Sequence, residues 1–137
     1  MPVDPSLVGR EFPAPAPLTV TADRVGAFAA AVGHPGGSDG VVPPTFPIVL
    51  AFDAMQAFLD AEQIDLHRIV HGEQRFAYVR PLVAGDELSA TLTVTGLRQI
   101  GAADIIATTS EITDATGAVV CTGKATLLHS SGSEAAQ

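Results

Sequence analysis

Cys121 is the only cysteine in the chain, which excludes an internal disulfide and any metal site built from several thiolates. At an apolar strand position this thiol reads as a small core side chain rather than a nucleophile. Basic residues are also scarce: Lys and Arg number 7 against 15 Asp and Glu, giving a formal net charge of −8. Surfaces for nucleic acid or anionic membranes need clustered Lys and Arg to neutralise phosphate, so neither partner is expected. Hydrophobic residues make up 47% of the chain, yet no apolar run is long enough to span a bilayer and no cleavable signal pattern is visible. A soluble, cytoplasmic protein is expected. The histidines, His34, His67, His71 and His129, lack ligand spacing, so neither a metal nor another cofactor is expected.

At 137 residues the chain suits one domain with its own core, over 1–130, followed by a flexible tail over 131–137. Its most apolar stretch is PPTFPIVLAFDAMQAFLD, from Pro43 to Asp60. The spacing predicts a helix over 46–61, with Thr45 as its cap and Pro47 just inside, where a missing N–H has no intrahelical partner anyway. Only Asp53, Gln56 and Asp60 interrupt the apolar run after Pro47. A helix apolar nearly all round belongs inside something.

The first twenty residues carry prolines at 2, 5, 13, 15 and 17 and are expected to lie extended across the surface. Thr21 then precedes a short amphipathic helix in which Val25, Phe28, Ala29 and Val32 share a face and Gly33 supplies a left-handed stop. The glycine-rich stretch from Gly33 to Val42 reads as a loop. Four strands follow: one through HGEQRFAYVR, one over Glu87–Gln99, one over Ala103–Thr113, and one over Ala118–His129 after an Asp114–Gly117 turn. Two helices and then strands at hairpin spacing suit an α+β domain, one antiparallel sheet curled round a buried helix. Its exposed sheet edges predict a dimer.

The phrases VGREFP at 8–13, PPTFP at 43–47, HGEQRFAYVRPLVAGDEL at 71–88 and DATGAVV at 114–120 resemble the MaoC-like N-terminal dehydratase family of the hot-dog superfold. Within it the chain is similar to the substrate-binding subunit of heterodimeric (R)-3-hydroxyacyl-ACP dehydratases. The resemblance implies a long sheet wrapped round a central helix, and a homodimer or a heterodimer with a catalytic MaoC-type subunit. It also implies a ligand of fatty-acid or polyketide metabolism, an acyl thioester on acyl-carrier protein or coenzyme A. Docking of an acidic carrier would use a local patch such as Arg75, Arg80 and Arg98.

Dehydrating a 3-hydroxyacyl thioester needs one group to take the C2 proton and another to protonate the leaving hydroxyl. Catalytic members of the family carry an Asp and a His for this in a D-x-N-P-x-H segment ahead of the central helix. This chain runs instead from Gly33 through HPGGSDG to PPTFP, which points to an acyl-binding subunit lacking that pair. His34 and Asp39 are substitutes of the right type, although a glycine-rich loop positions side chains poorly. His71 and Glu73, two apart on a strand, are expected to share a face as an acid–base pair. The plainer reading makes them a hydrogen-bonding cluster tying strand to helix. Phe46, Gln74, Phe76 and Tyr78 are the candidate acyl-binding residues. Two further readings stay open: a stand-alone homodimeric enzyme that hydrates, isomerises or adds to an enoyl thioester through His71 and Glu73, and a non-catalytic acyl-thioester binding protein.

Overall fold

The structure, a computed structural model, describes residues 5–33 and 42–130. After a 3-10 turn at Pro5–Leu7 come strands β1 (Glu11–Pro13) and β2 (Leu18–Thr19), then helices α1 (Ala22–Val32) and α2 (Ile48–Ala61) and a second 3-10 turn at Leu66–Arg68. Strands β3 (Ile69–Tyr78), β4 (Glu87–Ile100), β5 (Ala103–Thr113) and β6 (Val119–Ser130) complete the chain. The antiparallel sheet runs β1-β4-β5-β6-β3, with β2 also on β4. Among the described residues nothing pairs with the outer edge of β3.

Alternation decides which face of the sheet is covered. Leu88, Ala90, Leu92 and Val94 of β4 are buried, as are Ile106 and Ile112 of β5 and Cys121 and Leu127 of β6. These residues form the concave face, and α2 lies against it through Leu50, Ala54, Met55, Phe58 and Leu59. The ring of Phe58 meets that of Phe12 on β1 at 4.9 Å. Burying such side chains contributes about 1.5–3 kcal/mol each.

Helix α1 begins and ends where its sequence dictates. The Thr21 hydroxyl accepts the Arg24 N–H at 3.1 Å, and Gly33 closes the helix at φ 71°, a conformation that favours a residue without Cβ.

Helix α2 departs from expectation in two respects. It starts at Ile48, with Pro47 rather than Thr45 at its cap and no side-chain cap. The stretch from Pro43 closes i→i+3 backbone bonds, Phe46 N–H to the Pro43 carbonyl and Ile48 N–H to the Thr45 carbonyl, so it enters the helix as tight turns. The helix is also covered on one side only: Phe52 is 41% exposed. One curved sheet encloses one face of a rod and leaves the other open.

The proline-rich start is extended, but not merely superficial. Leu7, Phe12, Leu18 and Val20 are buried, because β1 and β2 pair with β4 and turn these side chains inward.

Candidate functional site

The expected pairing of His71 with Glu73 is not what the backbone builds. Strand β3 pairs His71 with Leu127 and Glu73 with Thr126 on β6, so Gly72 is an extra, bulged residue. A bulge resets the alternation of faces. His71 therefore lies on the concave face together with Gln74, and its Nε2 is 2.9 Å from the Gln74 carboxamide oxygen. Glu73 is turned to the convex face, where the Arg75 guanidinium binds its carboxylate. The shared face assigned to His71 and Glu73 thus belongs to His71 and Gln74.

Gly123 on β6 makes room for this arrangement. A Cβ there would stand 3.2 Å from the Gln74 amide nitrogen and 3.1 Å from the Phe76 ring. Beneath α2, His71 and Gln74 border a cavity of about 10 Å³ that reaches Thr108 and Ser110 on β5 and Met55 on the helix.

Tyr78, at the end of β3, donates its hydroxyl to the Pro44 carbonyl at 2.5 Å and so ties the strand to the turns before α2. Burial, with the neighbouring Cys121 second, pushes the phenol up to about 12. Tyr78 also borders an open apolar groove of about 620 Å³ with Val42, Pro44, Val79, Leu82 and Val83. Phe46 does not face a site: it is 1% exposed and packs edge-on against Phe28 at 5.5 Å. The turn that precedes α2 points its ring into the core.

His34 and Asp39 lie outside the described residues. His67 sits beside Asp65, its backbone N–H donating to that carboxylate at 2.9 Å. His129 is buried, with its Nδ1 3.0 Å from the Asp104 carboxylate, while Gln99 donates to the other oxygen of Asp104 at 3.0 Å. This Gln99–Asp104–His129 row was not anticipated. Its only signal in the sequence is polar residues at inward positions of alternating strands, and Thr108 and Ser110 carry the same signal. Among the described residues no three His, Cys, Asp or Glu side chains are grouped as metal ligands.

The arginines do not form one patch. Arg80 is bound to Asp86 at 2.9 Å and to Asp114 at 3.5 Å, Arg75 holds Glu73, and Arg98 lies on β4, separated from β3 by the two strands β5 and β6. The Arg80 hydrogen bond, aided by the Val83 N–H, holds the Asp86 carboxyl below its usual range against the opposing effect of burial. No helix among the described residues is long and apolar enough to cross a membrane.

A long antiparallel sheet curled round one helix is the hot-dog fold, and MaoC-like dehydratases are among the solved structures that share it. The truncated HadBC (3R-hydroxyacyl-ACP dehydratase) complex of Mycobacterium tuberculosis matches with TM-score 0.78 and 27% identity, over 93% of this chain and 99% of that one. A second structure, a MaoC-like dehydratase, matches with TM-score 0.83 and 27% identity over 94% of this chain and 44% of that one. Residues 6–123 match the family described as FAS1-like, dehydratase domain region, and the chain belongs to that family. A relative from Clavibacter michiganensis subsp. michiganensis, known as a UPF0336 protein, is 45% identical over 93% of this chain and 96% of its own length.

Proposed function

We propose that this protein is the acyl-binding subunit of an (R)-3-hydroxyacyl-thioester dehydratase of the enoyl-hydratase type, acting in fatty-acid or polyketide metabolism. A partner of the same fold supplies the Asp and His. The observation that carries this reading is the incomplete wrapping of α2: Phe52 is left open beside the unpaired edge of β3. Val70 and Val79 are exposed near the two ends of that strand. A second hot-dog chain would cover all three, and an apolar channel for an acyl chain would form where the two meet. The kinship with dehydratases supports a thioester ligand, carried by acyl-carrier protein or coenzyme A.

The test is to incubate crotonyl and longer enoyl thioesters with the protein alone and with a MaoC-type chain carrying the D-x-N-P-x-H segment. Loss of the conjugated-thioester absorbance is followed. Turnover only in the mixture is expected, and turnover by the protein alone overturns the division of labour.

A second reading, a homodimeric enzyme acting on enoyl thioesters, is favoured by one feature: His71 faces the helix and is held by Gln74. Under it, His71→Ala abolishes turnover by the isolated protein, whereas Glu73→Gln, on the opposite face, leaves most of it.

A further inference from the structure

The convex face of the sheet, turned away from α2, carries five charged side chains in its middle: Glu73 and Arg75 on β3, Arg98 on β4, Glu111 on β5 and Lys124 on β6. All five are exposed. Gln74, Ala125, Thr108 and Val94 stand level with one another on β3, β6, β5 and β4, pointing inward, and so mark a line across the strands. Opposite charges lie symmetrically about that line. Glu73 is one residue to one side of it and Arg75 one residue to the other. Glu111 is three residues beyond Thr108 on β5, and Arg98 is level with Ile105, three residues before it. Lys124 is mirrored by Thr126, the register partner of Glu73. Glu73 and Arg75 are joined within the chain, whereas among the described residues Arg98, Glu111 and Lys124 have no salt bridge of their own.

Near the line the side chains are small. Gly96, Ala107, Thr109 and Thr126 face outward there, and an open hollow of about 380 Å³ lies over the last three, with Lys124 at its border. At one end of the same face two large apolar side chains lie in the open, Val70 at 64% and Leu128 at 37% exposure.

We propose that a second copy of this chain packs back to back on this face, about a two-fold axis that crosses the strands at the level of Thr108. Such an axis lays each residue over its mirror position in the other copy. Glu73 then meets Arg75 of the second copy, Lys124 lies beside its Glu73, and Arg98 lies beside its Glu111. Each contact occurs twice, and no two like charges among the five are opposed. Val70 and Leu128 are covered by Ala77 and Thr122. An axis along β5 instead would set Glu111 directly on its own copy, so the charges select the crossing axis. Two sheets stacked this way keep their strands aligned, about 10 Å apart, and the small residues at the centre let two curved faces approach. The patch measures about 20 Å along the strands and about 15 Å across them, the low end of specific interfaces, so the association is reversible. The outer edge of β3 stays open in this arrangement, which is independent of the acyl-thioester reading.

The test is sedimentation velocity over a concentration series at low salt. Arg98→Glu turns two attractive contacts per interface into two repulsive ones and is expected to weaken association by about tenfold, so that the mass falls by half at concentrations where the unmodified protein is assembled. Arg98→Glu with Glu111→Arg exchanges the signs and restores it. Ala107→Arg, which sets two cations against each other beside the axis, abolishes association even if the doubly exchanged variant does not fold. A protein that is monomeric throughout, a mass that neither Arg98→Glu nor Ala107→Arg changes, or a folded exchanged variant that fails to reassociate overturns the proposal.

Discussion

His71 and Gln74 are three residues apart, yet the imidazole Nε2 and the carboxamide oxygen meet at 2.9 Å on one face of β3. In a regular strand, residues at that spacing point to opposite faces. The contact exists because Gly72 is bulged out of the ladder, and it holds the imidazole over the small cavity beneath α2.

That contact depends on a neighbour with no side chain. In Gly123→Ala the new methyl would press on Gln74 and Phe76 at 3.2 and 3.1 Å, and both must retreat by a few tenths of an ångström. Overpacking of this kind costs about 1–3 kcal/mol. A lower urea midpoint is expected, together with changed His71 ring resonances in NMR. Unchanged His71 resonances would show that Gln74 does not position it.

A glycine of the opposite kind sits in α1. Gly26 has no atom within 4 Å of where its Cβ would be and lies in the helix interior. Gly26→Ala should therefore stabilise the protein by about 0.5–1 kcal/mol through helix propensity alone. Thermal unfolding measures the gain, and a lower midpoint would mean that α1 packs more tightly there than the structure has it.

Acid should weaken the clamp at the end of β3. The Asp86 carboxyl is held down chiefly by its hydrogen bond from Arg80, and that of Asp114 chiefly by the Thr116 hydroxyl. A carboxyl with a lower value folded than unfolded stabilises the fold fully above the unfolded value, about 3.9. That contribution fades as the pH falls through the folded value. Asp86→Asn is expected to reduce stability by about 1 kcal/mol near neutrality. It should also flatten the loss of stability below about pH 4. Urea midpoints at pH 7, 5 and 3 for both proteins decide it, and parallel curves would contradict the coupling.

Cys121 should be inert while the protein is folded. It is fully buried, and burial pushes its thiol up to about 11, so little thiolate exists at pH 8. A thiol-specific chromogenic reagent is expected to report no rapid reaction in buffer and one equivalent after unfolding in guanidinium. Rapid labelling of the native protein would place this residue at an accessible surface.

Local rules in the sequence went far for the regular elements. Thr21 and Gly33 frame α1 because capping needs only neighbouring residues, and Leu88 to Val94 announce a half-buried strand because alternation is itself local. One antiparallel sheet curled round a helix was legible from one long apolar helix followed by strands at hairpin spacing, and the resemblance to MaoC-like dehydratases implied the hot-dog form of it. Other features depend on pairing between distant segments. Phe12 and Leu18 turn inward only because β4 lies beside them, and Phe46 is in the core because Phe28 meets it there. The bulge at Gly72 exists only relative to β6, so counting by twos along β3 put Glu73 where Gln74 belongs.

The bulge also gives β3 a local tolerance to a change of length. Because Gly72 stands outside the ladder, His71 and Glu73 already face successive residues of β6. Shortening the chain by that one residue would leave every flanking side chain with its present orientation. Natural variation in length at this position would then be silent for the concave face, whereas a single-residue indel a few positions further along would exchange its wet and greasy sides.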